Sequence, residues 1–334
     1  MRVLVETSAA FADHDAGPAH PERPARLDAV LAGIEGLALG SDVVPAEPRR
    51  ATIAELSGAH EPAFIEALAR FCARGGGQID ADTSVGAGSW EAALLATGAG
   101  LDAVERLRLG QAEAAFCVAR PPGHHATANR AMGFCLINSI AVCAAALASD
   151  GERVVIVDWD AHHGNGTSQI FWADPRVLYV SMHQWPLYPG TGRLEEIGAG
   201  PGEGLTVNLP FPPGTTGNVY MAAFERVVAP AAAAFGATWV LVSAGFDAHR
   251  ACPLTSLGLA AGDYSGLGRC SAALAAPGRC VAFLEGGYDL DAIEVSAAAF
   301  VAALAGEQHR PAEPPTAGGP GMTVVEAAAR LHAR

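Results

Sequence analysis

Short apolar runs alternate along the chain with longer segments that have helical spacing. The runs are bounded by Gly, Asp or Pro and are apolar almost throughout, which is typical of strands buried on both faces of a sheet. The predicted strands are Arg2–Glu6, Ala115–Ala119, Arg153–Asp158, Arg176–Met182, Trp239–Ala244 and Arg279–Leu284. The predicted helices are Glu22–Gly36, Ser89–Gly110, Asn138–Ser149, Asn218–Phe235, Ser256–Ala276 and Asp289–Ala305. This alternation predicts an α/β fold, a single domain with a mostly parallel central β-sheet flanked by helices.

The domain is expected to span residues 1–306, because no Pro/Gly/Ser-rich linker divides it. A Pro/Gly-rich linker begins at Glu307, and Met322–Arg334 is predicted to form a C-terminal helix. The uncharged stretch Val227–Phe246 is long enough to suggest a membrane span, but Pro230 and Gly236 interrupt it. We therefore expect a helix end, a turn and a buried strand there.

Composition narrows the class of protein and its partners. Of the 334 residues, 50% are hydrophobic and 17% charged, which excludes a disordered chain. The net charge of −14 disfavours nucleic acid and anionic membranes as partners, and a basic peptide or polyamine fits it better. The 7 cysteines lack CxxC spacing, and we expect free thiols, no secretory signal and a cytoplasmic location. Homo-oligomerisation is left open.

Polar stretches follow several predicted strands at the point where each strand ends. They are R-P-P-G-H-H (120–125), D-W-D-A-H-H-G-N-G (158–166), S-A-G-F-D-A-H (243–249) and E-G-G-Y-D-L (285–290). In open parallel sheets, ligands bind in the crevice outside the carboxyl ends of the strands. The sequence therefore predicts that these stretches form one site.

The residue types in these stretches are those of a catalytic metal site. Asp160 and His162 are two residues apart at a strand end and can face the same point, and Asp247 is the best candidate for a third ligand. Mixed nitrogen and oxygen ligands suit Zn²⁺, and also Fe²⁺ or Co²⁺. For Asp160 and His162 alone, a hydrogen-bonded cap is an equally good interpretation. The pair His124–His125 favours the metal site, because water activated by a metal needs a nearby base and acid.

Tyr288 follows two glycines and could donate a hydrogen bond to an oxyanion, although an ordinary aromatic residue at a turn would fit the motif alone. Seven motifs in consistent order then resemble the histone deacetylase family, in its class II-like bacterial branch, over roughly residues 1–305. They are H-P-E-R-P-A-R-L (20–27), R-P-P-G-H-H (120–125), G-F-C-L-I-N (133–138), D-W-D-A-H-H-G-N-G-T (158–167), Y-P-G-T-G (188–192), S-A-G-F-D-A-H (243–249) and E-G-G-Y (285–288). The resemblance implies an arginase/deacetylase fold and a zinc-dependent amidohydrolase that removes an acetyl-type group from a lysine side chain.

The resemblance also implies roles for individual residues. Asp160, His162 and Asp247 match the zinc ligands, and Tyr288 matches the residue that polarises the carbonyl. The paired acid/base histidines are His124 and His125, of which His125 is the more plausible proton shuttle. Their expected partners are Asp158 for His124 and Asn165 for His125, where Asn in place of Asp should leave His125 less basic. The expected substrate channel comprises His20, Gly133, Phe134, Tyr188, Leu254 and Gly287. A structural K⁺ site would comprise backbone oxygens of Asp158, Asp160, His162 and Met182 with the Ser181 side chain.

Several alternatives remain open at this stage. The substrate could be an acyl-lysine peptide or protein, or a small acylated amine such as an acetylpolyamine. Polyamine-selective relatives carry an acidic residue where this chain has Leu254, which favours acyl-lysine. Arg250–Pro253 departs from the family's usual Gly-Asp-Pro, so the acyl preference is open. A noncatalytic, metal-bound ligand-sensing module is a less favoured hypothesis. A dinuclear site of the arginase type is also disfavoured, because a second metal would need an Asp at the position where this chain has Gly164.

Overall fold

The computed structural model describes residues 1–333 and contains one large parallel sheet. In spatial order the sheet runs β2-β1-β5-β10-β9-β6-β7-β8, and every neighbouring pair is parallel. The strands are β1 (Val3–Glu6), β2 (Val43–Ala46), β5 (Ala114–Cys117), β6 (Val154–Asp158), β7 (Val177–Gln184), β8 (Thr206–Phe211), β9 (Trp239–Ala244) and β10 (Cys280–Leu284). A small antiparallel hairpin is formed by β3 (Gly77–Gln78) and β4 (Ser84–Val85).

Helices cover both faces of the sheet. They are α1 (Ala25–Gly36), α2 (Ile53–Leu56), α3 (Pro62–Ala73), α4 (Ser89–Arg108), α5 (Ser139–Ser149), α6 (Asn165–Ile170), α7 (Gly217–Ala223), α8 (Ala229–Phe235), α9 (Ala261–Ala272), α10 (Leu290–Leu304) and α11 (Met322–Leu331). Short 3₁₀ segments lie at Ala9–Asp13, Gly40–Asp42 and Gly200–Gly202, and a π-helical turn at Phe224–Val228 joins α7 to α8. Among the described residues, none of the helices is both long and apolar enough to cross a membrane.

The sheet separates two layers of hydrophobic core. In β6, Val155 and Val157 face one layer while Val154 and Ile156 face the other, as the pleat of a strand requires. Because both faces are covered, all five residues of β6 are buried, including the terminal Asp158. The predicted α/β fold with a mostly parallel central sheet is therefore confirmed.

The structure adds two edge strands that the apolar pattern did not predict. Strand β2 has the sequence VVPA and β8 has TVNLPF, and each contains a proline. Proline cannot donate to a strand ladder and is tolerated at sheet edges, which is where both strands lie. The interruption predicted within Val227–Phe246 is present, since α8 ends at a left-handed Gly236 before β9 begins.

Two predicted helices start several residues later than expected, and the first of them, α1, begins at Ala25 instead of Glu22. The pattern suggested Ser256–Ala276, whereas α9 begins at Ala261, where the Asp263 carboxylate accepts the Ala260 N–H at 2.9 Å. The preceding residues form a loop that packs beside the carboxyl end of β9, with Gly258 N–H bonded to Thr215 O. This loop contributes to the rim of the site described next.

Candidate active site

Four adjacent strands deliver the polar stretches to one edge of the sheet. Strands β5, β10, β9 and β6 are consecutive neighbours, and the residues that follow them carry the histidine pair, Tyr288, Asp247 and Asp160 with His162, respectively. The four stretches therefore meet in the centre of the sheet, where the helices exclude solvent most completely. Asp158, Asp160 and Asp247 are each at most 1% exposed.

Asp160, His162 and Asp247 form a compact set of potential metal ligands. One ligand atom from each lies within 4.8 Å of the others, and His162 Nδ1 is 2.8 Å from Asp247 Oδ2 and 3.2 Å from Asp160 Oδ1. Burial and the nearby Asp160 charge raise the pKa of Asp247 to about 6. Two buried carboxylates facing one imidazole are costly to desolvate, and a divalent cation would offset that cost. The donor set therefore fits a metal such as zinc.

Glycine is required on one side of this set. A Cβ atom at Gly286 would lie 2.6 Å from carboxylate oxygens of both Asp160 and Asp247. The Gly286 N–H instead donates to Asp160 Oδ2 at 2.8 Å, while Asp247 Oδ1 accepts the Ala161 N–H at 2.8 Å. These bonds fix one oxygen of each carboxylate and leave the other directed at His162.

The two adjacent histidines lie beside the ligand set with different partners. His124 Nδ1 is 3.0 Å from Asp158 Oδ2, and His125 Nδ1 is 2.8 Å from Asn165 Oδ1. Burial disfavours the charged form of His124, but the carboxylates of Asp158 and Asp160 outweigh it and raise its pKa to about 10. Burial, together with positive charge on His124 and His162, holds the pKa of His125 well below its usual range. His124 is thus the more basic of the two.

Tyr288 and two aromatic side chains surround the approach to this pair. The Tyr288 ring meets Phe134 edge-on at 5.7 Å, and His20 packs edge-on against the other side of Phe134 at 4.5 Å. Tyr188 lies 5.2 Å from the His125 ring. Burial raises the pKa of Tyr288 well above its usual range, so its hydroxyl stays protonated and can donate a hydrogen bond. The rings thus form an apolar passage that ends at the histidines.

Two glycines allow the walls of the passage to approach each other. Gly133 has a φ of +56°, and a Cβ there would lie 2.7 Å from the His125 ring and 3.0 Å from Tyr188. Gly287 has a φ of +120° and would bring a Cβ to 2.9 Å from Phe246. Tyr188 and Leu254 are each 38% exposed. Of the expected channel residues, Gly133 and Tyr188 therefore lie against His125, and Phe134 lies between His20 and Tyr288.

Two other predicted positions lie to the side of this passage. Ser181 is fully buried in β7, directly opposite Asp158 in the register of β6 and β7. Its hydroxyl is 2.9 Å from His183 Nδ1, and the Met182 carbonyl accepts a long hydrogen bond from Tyr220 at 3.5 Å. His163, the second histidine of its motif, turns away from the ligand set and contacts Thr191 at 2.8 Å. Of the two adjacent histidines in this motif, His162 belongs to the ligand set and His163 does not.

Sequence reasoning missed a buried polar frame that holds the strand ends in place. Glu285 accepts the Gly123 N–H at 2.7 Å and the His124 N–H at 3.2 Å, which ties the Tyr288 turn to the histidine turn. Arg26 donates to Gly287 O at 2.6 Å and also to Glu285 O. Glu22 pairs with Arg26 at 3.1 Å. Glu285 and Arg26 lie within the quoted motifs, but their roles depend on backbone partners far away in the sequence.

Comparison with known proteins identifies the family of this chain. The model of the histone deacetylase domain matches residues 20–304. A probable deacetylase from Archaeoglobus fulgidus is 40% identical over 303 residues, covering 89% of this chain and 84% of that protein. Histone deacetylase 15 from Arabidopsis thaliana is 40% identical over 295 residues, covering 86% of this chain and 53% of that protein.

Solved structures agree as well. The crystal structure of an HDA15 HD domain superposes with a TM-score of 0.90 at 35% identity, covering 99% of this chain and 94% of that one. The match extends through the sheet, the strand-end turns and the C-terminal segment. On the family model, the relatives and the superposition together, the chain belongs to the histone deacetylase family.

Proposed function

We propose that this protein is a zinc-dependent deacetylase that removes an acetyl-type acyl group from a lysine side chain. The observation that carries the proposal is the juxtaposition of the ligand set Asp160, His162 and Asp247 with His124, His125 and Tyr288 in a family of deacetylases. The His125 and His162 rings meet edge-on with their centroids 6.1 Å apart, so the proposed base lies beside the ligand set. Every position that the reaction needs carries a chemically competent side chain.

Asp160, His162 and Asp247 would hold the metal. When bound, a divalent ion supplies Lewis-acid activation of the amide carbonyl and of water. The proposal also includes the structural K⁺ ion that the family resemblance implies, at the backbone of Asp158, Asp160, His162 and Met182 with Ser181. The register of β6 and β7, which pairs Asp158 with Ser181, supports that placement.

The chain's own residues divide the proton transfers between them. His125, which is neutral at pH 7, accepts a proton from the attacking water through the nitrogen that does not face Asn165. His124 adds positive charge beside the developing oxyanion because Asp158 keeps it basic. The Tyr288 hydroxyl donates to that oxyanion, and His125 returns the proton to the leaving amine.

The channel supports a neutral, extended substrate stem. Phe134, Tyr188 and Leu254 present apolar surface along the passage, which suits the methylene chain of lysine. Burial raises the pKa of Tyr188, and the nearby charges of Asp82 and Asp80 add to that rise, so negative charge lies close to Tyr188. That negative charge favours a substrate with a positively charged group near its acyl-lysine. Acetylpolyamines also carry positive charge, so they remain the second candidate substrate.

A substrate panel tests the proposal. Metal-loaded protein would be assayed with acetyl-, trifluoroacetyl- and longer acyl-lysine peptides and with acetylpolyamines, ranked by kcat/KM, with a chelated sample as control. We expect acetyl-lysine peptides to be cleaved with the highest kcat/KM and the chelated sample to be inactive. Higher kcat/KM for acetylpolyamines would assign the second candidate. A protein that binds one metal per chain and cleaves no acyl amide would instead be a ligand-sensing module.

A further inference from the structure

A second group of potential metal ligands lies next to the first. One of its members, His124, takes part in the proposed reaction, but the group as a whole has no role there. It consists of His124, Cys135 and Glu285, whose ligand atoms lie within 4.8 Å of one another. All three are buried, with exposures of 3%, 0% and 1%. We call this group the thiol set.

Each member of the thiol set keeps a ligand atom that makes no short hydrogen bond. His124 is engaged through Nδ1 by Asp158 at 3.0 Å, whereas Nε2 lies 3.8 Å from Asp160 Oδ1. Glu285 uses Oε2 for two backbone N–H groups, whereas Oε1 has a long contact of 3.4 Å with Ser243 Oγ. Cys135 Sγ accepts the His125 N–H at 3.4 Å and also interacts with the Ala126 backbone. One nitrogen, one sulfur and one oxygen therefore converge.

The surrounding charge favours a second cation. Asp158, Asp160 and Glu285 all act electrostatically on His124, and Asp247 lies against Asp160. When these four carboxylates are ionised, one divalent ion at Asp160, His162 and Asp247 balances only half of their charge. The remaining negative potential lies in a low-dielectric interior, where it attracts cations most strongly. Protons on His124 and Glu285 otherwise supply the balance.

We propose that the thiol set binds a second, thiophilic divalent cation such as Zn²⁺ or Cd²⁺ and that this ion inhibits the enzyme. The mixed nitrogen, sulfur and oxygen set matches zinc, and a thiolate selects against Mg²⁺ and Ca²⁺. The ion occupies the ring nitrogen of His124 that does not face Asp158, so it withdraws His124 from the proposed reaction. The binding claim rests on the geometry and charge of the thiol set and does not depend on catalytic activity, whereas the inhibition claim rests on the proposed deacetylase function.

Cadmium titration of the metal-loaded protein tests the binding claim directly. We expect equilibrium dialysis to give two ions per chain at excess Cd²⁺, with an ultraviolet cadmium–thiolate absorption band that grows with the second ion. The band is diagnostic because the set Asp160, His162 and Asp247 contains no sulfur. Saturation at one ion per chain, or a second ion without the band, would overturn the proposal.

Variants connect the second ion to the thiol. Cys135→Ala should keep one ion per chain and its acyl-lysine activity, lose the band and weaken the second site by about 100-fold or more, since loss of an outer partner already costs 10–100-fold. If Cys135→Ala fails to fold, Cys135→Ser provides the same comparison at nearly equal volume. Cys143→Ala is the matched control, because Cys143 is equally buried but lies in α5.

The inhibition claim has its own readout. Excess Zn²⁺ should inhibit wild type and the Cys143→Ala variant but leave the Cys135 variant active, whereas excess Mg²⁺ should inhibit none of them. Equal zinc inhibition of the Cys135 variant would overturn the inhibitory role even if the cadmium band is present. If no variant cleaves any acyl amide, the proposed function fails while dialysis and the band still decide the metal site.

Discussion

At the scale of single residues, two neighbouring histidines become chemically different through the atom that each one faces. His124 faces the Asp158 carboxylate at 3.0 Å, and His125 faces the Asn165 amide oxygen at 2.8 Å. A carboxylate stabilises the imidazolium form, whereas an amide oxygen orients the ring without adding charge. The pair therefore combines a basic member with a neutral one, which is what a step that first accepts and then donates a proton requires.

Replacing Asn165 by Asp should make His125 more basic. The new carboxylate would favour the charged imidazole and raise the pKa of His125 from its position well below 6.5. A base acts only in its deprotonated form, so the acidic limb of the kcat/KM profile should move to higher pH by about one unit or more. Asn165→Gln, which adds no charge, is the control, and an unchanged acidic limb in Asn165→Asp would remove His125 as the base.

Tyr288→Phe should reduce kcat without loss of the metal. The substitution removes one hydrogen-bond donor to the oxyanion, which typically costs about 10²–10³ in rate. The ring keeps its edge-on contact with Phe134, so folding and substrate stacking should persist. Steady-state kinetics with metal analysis of the same sample checks this, and an unchanged kcat would exclude Tyr288 from the mechanism.

At the scale of elements, β1 packs against α4 through a buried acidic group. Glu6 at the end of β1 is fully buried, beside Asp102 and 3.4 Å from Arg106 of α4. Burial, followed by the Asp102 charge, raises the pKa of Glu6 from 4.5 to about 8. The folded protein therefore holds a proton at Glu6 that the unfolded chain releases near pH 4.5.

This proton makes stability depend on pH in a defined direction. The contribution is fully present below pH 4.5 and is lost as the pH rises through 8, since the folded state binds more protons in that window. Glu6→Gln cannot ionise, so it should be more stable than wild type at pH 9, on the order of 2 kcal/mol, with little difference at pH 5. Thermal melts at both pH values check this, and a variant that is destabilised equally at both would contradict it.

A second element-scale contact ties the C-terminal segment to the loop that carries Asp247. The Glu313 carboxylate accepts hydrogen bonds from His249 Nε2 at 2.7 Å and from Arg250 Nη2 at 2.5 Å, and these residues lie two and three positions after Asp247. The same segment is anchored to α9 by Thr316, whose hydroxyl donates to Asp263 at 2.8 Å. Residues 307–321 therefore contact the loop that bears Asp247, the proposed third metal ligand.

Glu313→Ala should weaken the metal site from a distance. Without Glu313, His249 and Arg250 lose their common acceptor and the Asp247 loop is free to shift, so the rate of metal loss to a chelator should rise about tenfold. Thr316→Val is the matched control, because it removes the hydroxyl bond between the same segment and α9 and leaves the Asp247 loop bonded. Equal metal loss in both variants would show that the segment acts only through overall stability.

At the scale of the whole molecule, the sequence predicts those features that depend on the local apolar pattern and on the order of motifs, such as the central strands of the sheet. All six apolar runs became strands because both faces of the sheet are covered, so each run carries its own signal. The edge strands β2 and β8 were not predicted, because their prolines interrupt the apolar pattern. The sequence also did not predict the contacts of Glu285, Cys135 and Glu313. Their partners are set by tertiary contacts between segments that the chain pattern does not relate. The spacing of residues along the chain does not predict such contacts.

Metal removal should destabilise the whole fold. The proposed metal ligands belong to loops after two central strands, β6 and β9, so a bound ion would join segments 85–87 positions apart around the middle of the sheet. An ion at about 1,000 times its Kd adds about 4 kcal/mol to the free energy of unfolding. We expect the chelated protein to melt roughly 5–10 °C lower, as measured by scanning calorimetry.

The size of that loss should itself depend on pH. Without metal, burial and Asp160 raise the pKa of Asp247 to about 6, so the metal-free fold gains a proton relative to the unfolded chain and loses stability as the pH rises from about 4 to 6. The metal requires the ionised carboxylate and therefore binds more tightly over the same range. The two trends add, so the difference in melting temperature between loaded and chelated protein should widen from pH 5 to pH 7.5. Asp247→Asn lacks the titrating group and should show little widening; a constant difference in wild type would mean that Asp247 holds no metal.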